Sequence, residues 1–279
     1  MAKIEDFKNN VSSAWCPGCS NFSILTAVKN AFVKLDIRPQ DIVIVSGIGQ
    51  AGKLPHYINC NVFNGLHGRT LPVATAIKAV NPKLTVIAVA GDGDMYGEGG
   101  NHLLHAFRRN PDITVIVHNN GVYALTKGQA SPTTELGIKT KLQFDGVIEE
   151  PMNPLVLAIA MNCSFVARGF AGDLDFLSEL ITLGIRYKGF SLIDIIQPCL
   201  TFGVHQVPWY KDKVYRLTKE YNPNDRDAAF KKAGENKEKI PTGILYVNNK
   251  PIFPDIDYNL EQKPVLDKAV LKELLKTFE

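Results

Sequence analysis

Residues 84–100 read Leu84-Thr-Val-Ile-Ala-Val-Ala-Gly-Asp92-Gly-Asp-Met-Tyr-Gly-Glu-Gly-Gly100. The run Leu84 to Ala90 holds no charge, which predicts a strand covered on both faces. The glycines that follow end it and open into a helix-like stretch over 99–109. Working outward, three more runs have the same character: Asp41-Ile-Val-Ile-Val-Ser-Gly47, Asp112-Ile-Thr-Val-Ile-Val-His-Asn119 and Ser191-Leu-Ile-Asp-Ile-Ile-Gln197. Helical patterns lie around them. After Ser20, apolar residues fall at Ile24, Leu25, Val28, Phe32 and Leu35, close to a 3.6-residue period. Residues 72–80, 154–161 and 173–186 read likewise as helices. This alternation predicts an α/β fold with a doubly wound, mostly parallel sheet over roughly residues 10–205.

Past Trp209 the composition changes. Lys211 to Lys239 is rich in charge and poor in branched aliphatics; Ile244-Leu-Tyr-Val247 reads as one short strand and Val265 to Phe278 as a terminal amphipathic helix. The expectation is an α/β domain over 1–208 and a charged C-terminal extension over 209–279, packed on the main domain or on a partner subunit. The bulk figures narrow the function classes. Net charge is +3, with 31 basic and 28 acidic residues interleaved, so no basic stripe points to nucleic acid. No apolar run approaches the roughly 18 residues of a membrane helix. The start, Met-Ala-Lys-Ile-Glu-Asp, lacks a signal-peptide pattern, and the chain reads as cytoplasmic. Five cysteines in such a chain argue against a disulfide framework.

Glycines at a strand's carboxyl end let backbone N–H groups approach phosphate oxygens, and the next helix N-terminus favours negative charge. A carboxylate there, Asp92, makes sense when a divalent hard cation lies between it and the phosphates. The strand over 112–119 ends in Asn119-Asn-Gly-Val-Tyr123, so Asp92 and Asn120, 28 positions apart, sit at the carboxyl ends of two strands expected to be neighbours. Each turn alone would pass for an ordinary tight turn. Together they resemble the thiamine-diphosphate motif. That resemblance implies a thiamine-diphosphate-binding fold, Asp92, Asn120 and the carbonyl of Val122 as Mg²⁺ ligands, and Gly93 and Asp94 against the diphosphate.

Trp15-Cys16-Pro-Gly-Cys19 is a Cys-x-x-Cys turn ahead of a helix. Alone it fits a redox pair, half a zinc site, or two ligands of an iron–sulfur cluster. A thioredoxin-like pair wants a preceding strand, which is missing here, and zinc wants a second close pair or two histidines. Cys199 follows Pro198 at the carboxyl end of another strand, and soft thiolates gathered near a diphosphate site favour a cluster. In combination, Cys16-Pro-Gly-Cys19, Ser46-Gly-Ile-Gly49, Leu66-His-Gly-Arg-Thr-Leu-Pro72, Gly91-Asp-Gly-Asp94, Gly99-Gly-Asn-His102, Asn119-Asn120, Leu125-Thr-Lys-Gly-Gln-Ala-Ser-Pro132 and Gln197-Pro-Cys199 resemble the β subunit of 2-oxoacid:ferredoxin oxidoreductases. The likeness runs from residue 14 to about 202.

The resemblance implies oxidative decarboxylation of a 2-oxo acid with coenzyme A, electrons passing through a 4Fe–4S cluster to ferredoxin, and a partner α subunit without which the chain is inert. It assigns Cys16, Cys19 and Cys199 to the cluster; Ile48, Gly49, Gln50, His67, Gly93, Asp94, Leu125 and Thr126 to the cofactor; and catalytic roles to His67 and Lys53. A lysine at 53 would pair with a second substrate carboxylate, favouring 2-oxoglutarate over pyruvate. The chain departs from the pattern at one place. The family has Gly-Ile-Gly-Cys where this chain has Gly47-Ile-Gly-Gln50, which leaves the fourth cluster ligand open, with Cys60 one option. Cys163 reads as a small core residue. Two other readings stand beside this one: a non-redox thiamine-diphosphate decarboxylase or carboligase, and a non-catalytic subunit held by structural zinc.

Overall fold

A computed structural model describes residues 1–253, apart from Lys237, together with Lys276. The strands are β1 (Ile42–Ser46), β2 (Asn61–Asn64), β3 (Thr85–Gly91), β4 (Thr114–Asn119), β5 (Val122–Tyr123), β6 (Gln129–Ala130), β7 (Phe165–Phe170), β8 (Ser191–Ile196), β9 (Val214–Arg216) and β10 (Ile240–Val247). The helices are α1 (Asn21–Lys34), α2 (Thr70–Val80), α3 (Gly100–Arg109), α4 (Pro154–Ala160), α5 (Leu174–Arg186), α6 (Val207–Lys213) and α7 (Arg226–Gly234). Eight strands form one sheet in the order β2-β1-β3-β4-β8-β7-β10-β9, and β5 pairs with β6 as a separate ribbon.

The continuous apolar runs face both ways. Val43 and Val45 of β1, with Val86 and Ala88 of β3, join a core that includes Leu71, Leu103, Phe107 and Leu155 from α2, α3 and α4. Ile42, Ile44, Ile87 and Val89 join the opposite core, against Ile24, Val28 and Phe32 of α1 and Leu177 and Ile181 of α5. With a side-chain period of two, only an unbroken run can feed both layers. The sheet is parallel from β2 through β7. The doubly wound expectation therefore holds.

Residues beyond Trp209 enter the same sheet. β10 runs antiparallel to β7, with Gly243 opposite Arg168 and a bulge between Ile244 and Tyr246, and β9 pairs parallel to β10. Ala229 and Ala233 of α7 are buried in the core beside α4. The charged stretch 211–239 thus contains β9 and α7, and β10 follows directly after it. The expected terminal helix over Val265 to Phe278 falls outside the described residues, Lys276 excepted. Among the described residues no helix is long and apolar enough to cross a membrane.

Candidate functional site

β3 ends at Gly91, and the chain tightens into a single π-helical turn over Gly93–Glu98, where Gly99 N–H reaches back to the Asp94 carbonyl at 2.9 Å. Such turns are scarce and concentrate at functional sites. β4 ends at Asn119, and a positive-φ glycine, Gly121, turns the chain into β5. Because β3 and β4 are paired neighbours, Asp92 and Asn120 emerge side by side at the carboxyl edge. Ser46, at the same end of β1, leads into the turn Gly47–Gln50. A cleft of ≈ 520 Å³ opens there, lined by Ile48, Gly49, Gln50, His67, Asp92, Gly93, Asp94, Asn120, Val122, Tyr123, Leu125 and Thr126.

Asp92 is buried, and its two carboxylate oxygens differ. Oδ2 accepts the hydroxyls of Ser131 and of Thr133 (2.8 Å), while Oδ1 has only a long 3.5 Å contact from Asn120 N–H. Burial pushes the Asp92 carboxyl up, against the pull of those donors. A buried carboxylate with one oxygen nearly unpartnered suits a hard cation, which would also hold it ionised. Asn120 is fixed from both sides: its Nδ2 donates to Gln197 Oε1 at 3.1 Å and its Oδ1 accepts Val122 N–H at 3.0 Å. Asp92, Asn120 and the Val122 carbonyl therefore supply oxygen donors of the type Mg²⁺ takes. Ser131, Thr133 and Gln197, which orient those donors, carry no local signal of that role in the sequence. Ser131 lies within the stretch Leu125 to Pro132, whose resemblance assigns it no function.

The Asp94 carboxylate is held among four neighbouring groups of the protein. Oδ1 accepts the N–H of Gly68 (2.8 Å) and of Ile48 (3.1 Å) and lies 2.6 Å from His67 Nδ1; Oδ2 accepts the Thr70 hydroxyl at 3.3 Å. One buried anion thus pins two walls of the cleft. Gly47 is required beside it, because a Cβ there would stand 1.9 Å from Asp94 Oδ2. Gly93 is required for a similar reason: its Cβ would lie 2.3 Å from the Tyr123 ring. His67 Nδ1 is close to Asp94 Oδ1 but not in hydrogen-bond geometry, and the His67 ring lines the cleft. Lys53 does not line it. It sits half-buried in the short helical turn Ala51–Tyr57, past the Gln50 wall.

Glu98 accepts the Tyr123 hydroxyl at 3.1 Å, and Glu135 lies 3.0 Å from His205 Nε2. Neither carboxylate lines the cleft. Across Asn119 and Asn120 lies a second cavity holding Arg168 and Asp194. Its charged groups are already satisfied: Asp194 accepts Tyr96 O–H at 2.6 Å and Asn119 Nδ2 at 3.2 Å, and Arg168 donates to the Glu235 and Ala233 carbonyls.

The cysteines divide into two groups. The Cys16–Cys19 turn packs on the turn after β8: Cys16 Sγ lies 3.7 Å from Thr201 Oγ1, and Ser20 Oγ donates to the Pro198 carbonyl at 3.1 Å. Burial foremost, with Cys199 and Cys16 adding to it, pushes the Cys19 thiol up against the Asn21 N–H. Cys19 is therefore within electrostatic range of both Cys16 and Cys199. Trp15 hooks this group to the cleft, its indole N–H donating to the Gln50 carbonyl at 2.8 Å. Among the described residues no three His, Cys, Asp or Glu side chains converge closely enough to hold one metal ion.

Cys60 and Cys163 are elsewhere. Asn61 is level with Val43, so Cys60 falls at the amino end of β1, opposite the edge that carries Cys16, Cys19 and Cys199. Burial pushes its thiol up to about 12, and it packs against the core beside α1. Cys163 is fully buried, its thiol likewise raised to about 12. A fourth ligand from Cys60 is ruled out by register.

A family model described as "Thiamine pyrophosphate enzyme, C-terminal TPP binding domain" matches residues 46–195, and a model of the C-terminal part of the pyruvate ferredoxin oxidoreductase beta subunit matches residues 199–262. The chain is 43% identical over 272 residues to the 2-oxoacid:ferredoxin oxidoreductase 1 subunit beta of Aeropyrum pernix, covering 93% of this chain and 85% of the relative. It is 46% identical over 248 residues to the 2-oxoacid:ferredoxin oxidoreductase subunit beta of Saccharolobus solfataricus, covering 84% and 81%. A solved structure of 2-oxoglutarate:ferredoxin oxidoreductase from Magnetococcus marinus, with 2-oxoglutarate, coenzyme A and succinyl-CoA bound, superposes with a TM-score of 0.89 at 34% identity, covering 98% of this chain and 96% of that one. Identity of this level along most of both lengths, joined to a cleft built on the same motif, places the chain in the family of 2-oxoacid:ferredoxin oxidoreductase β subunits.

Proposed function

We propose that this chain binds thiamine diphosphate through Mg²⁺ and, with an α subunit, oxidatively decarboxylates a 2-oxo acid, 2-oxoglutarate being favoured and pyruvate the alternative. The acyl group passes to the thiol of coenzyme A, CO₂ leaves, and the electrons travel singly through one iron–sulfur cluster to ferredoxin. The observation that carries the reading is the side-by-side emergence of Asp92 and Asn120 from β3 and β4, with Asp92 Oδ1 nearly unpartnered at the floor of the cleft. Asp92, Asn120 and the Val122 carbonyl hold the metal. Gly93 and Asp94 would meet the diphosphate, Ile48, Gly49, Gln50, Leu125 and Thr126 would border the rest of the cofactor, and His67 would face it. Thiamine diphosphate, when bound, supplies the electron sink for decarboxylation.

Cys16, Cys19 and Cys199 serve as thiolate ligands of the cluster, whose soft iron matches them. The cleft among the described residues holds no glutamate, so the carboxylate that starts thiamine chemistry comes from the α subunit. The reading favours 2-oxoglutarate through Lys53, whose ammonium would reach a distal carboxylate once the cleft is closed by the α subunit. The solved relative with 2-oxoglutarate and coenzyme A bound supports that preference.

The test is calorimetric titration of thiamine diphosphate into the wild-type chain and Asp92→Ala, with and without Mg²⁺. Loss of a partner that merely orients a metal ligand costs 10–100-fold in affinity, so removing the ligand itself is expected to cost at least about a hundredfold. Circular dichroism should be unchanged. Equal affinity in Asp92→Ala would overturn the metal assignment.

A further inference from the structure

The proposed cluster has three thiolates and a position where the family's fourth cysteine is replaced by Gln50. Three observations bear on that position. Gln50 Oε1 is buried and has no hydrogen-bond partner, a costly state for a carbonyl oxygen unless something else occupies it. The same residue is tied to the cysteine turn, since its backbone carbonyl accepts the Trp15 indole N–H next to Cys16. No other thiol can stand in: Cys60 lies at the amino end of β1 and Cys163 is enclosed in the core.

Resting on the cluster reading above, we propose that the cluster's fourth iron is exchangeable, faced by the neutral Gln50 Oε1 instead of a thiolate. An amide oxygen is a hard and uncharged donor, whereas cluster iron is held by soft, anionic sulfur. Gln50 would therefore mark one corner without locking it. The consequence is a defined oxidation. Ferricyanide takes one electron from [4Fe–4S]²⁺, and the resulting 3+ charge divides between [3Fe–4S]⁺, still held by Cys16, Cys19 and Cys199, and one Fe²⁺ that leaves past Gln50. Added Fe²⁺ and one electron from dithionite reverse the step.

The full-length chain, reconstituted anaerobically with iron and sulfide, provides the test through metal analysis and EPR, neither of which depends on turnover. One equivalent of ferricyanide should release about a quarter of the iron and raise the EPR signal of a three-iron cluster. Ferrous ion with dithionite should abolish that signal. Gln50→Cys should keep all its iron under the same treatment, Gln50→Ala should lose it faster than wild type, and Gln50→Glu, with an anionic oxygen, should lose it more slowly. If the wild type retains iron as firmly as Gln50→Cys, the inference fails while the cluster reading stands. It fails equally if Gln50→Ala weakens thiamine-diphosphate binding and leaves iron retention untouched, because Gln50 then serves the cleft alone. Reconstitution that yields neither iron nor sulfide in wild type and Gln50→Cys alike would overturn the cluster reading itself.

Discussion

Cys199 and Cys60 are the same residue type with opposite prospects, and position on the sheet separates them. The turn after β8 brings Cys199 to the Cys16–Cys19 turn, whereas pairing of β1 with β2 sends Cys60 to the far end. Cys16→Ser and Cys199→Ser are therefore expected to lose most of the visible absorption and iron of the reconstituted chain, and Cys60→Ser and Cys163→Ser to keep them. Iron and sulfide analysis decides this, and full iron content in Cys16→Ser would remove the cluster from the account. Lys53 makes the second case at this scale. Removing one partner of a desolvated ion pair costs on the order of a few kcal/mol, which corresponds to roughly a hundredfold in specificity. Lys53→Ala in the reconstituted αβ enzyme should lower kcat/KM for 2-oxoglutarate by about that factor and spare pyruvate. Equal losses on both substrates would return Lys53 to an ordinary half-buried lysine.

At the scale of elements, the joint between β7 and the C-terminal strands is the one that sequence periodicity does not reveal. Phe165-Val-Ala-Arg-Gly-Phe170 carries an arginine and a glycine where a buried strand is expected to be apolar, and β10 begins Ile240-Pro-Thr-Gly243. The structure explains both. Arg168 is 5% exposed, stands opposite Asp194 of β8, and donates to the Glu235 carbonyl at 3.0 Å and the Ala233 carbonyl at 3.3 Å, so it fastens the end of α7 to the sheet. Such a charge is tolerated in a strand because distant partners satisfy it. Arg168→Met should destabilise the fold by about 1–3 kcal/mol, since it leaves the Glu235 and Ala233 carbonyls without their buried donor. The melting temperature should fall by a few degrees. An unchanged melting temperature for Arg168→Met would show that the joint contributes nothing.

At the scale of the whole molecule, the boundary near residue 208 divides composition more clearly than it divides structure. β10 covers an edge of β7 that would otherwise present unpaired N–H and C=O groups, and Ala229, Ala233 and Leu245 complete one of the two cores. A chain ending at Pro208 should therefore be poorly soluble or aggregated, as an open buried-strand edge is expected to be. Size-exclusion chromatography of that truncation against the full chain checks it. A monomeric, cooperatively melting 1–208 fragment would show instead that the later residues are dispensable.

The layered architecture, and which residue types stand at its carboxyl edge, follow from local sequence. Strands β1, β3, β4 and β8 are long unbroken apolar runs, and helices α1 to α5 carry their own period, so each could be read from neighbouring residues alone. Asp92, Asn120, Cys16, Cys19 and Cys199 were legible as candidates because glycine turns and strand ends mark them locally. The tertiary structure alone decided the rest. It brought Ser131 and Thr133 to Asp92 and Gln197 to Asn120, tied the Asp94 carboxylate to the cleft walls, put Cys60 at the far end of β1, left Gln50 Oε1 without a partner, and drew β9, β10 and α7 into the sheet and its core. These outcomes depend on register and on contacts between residues tens to over a hundred positions apart. A local pattern shows which residues are apolar and where the backbone turns; which polar group a buried carboxylate meets is set only when the strands pair.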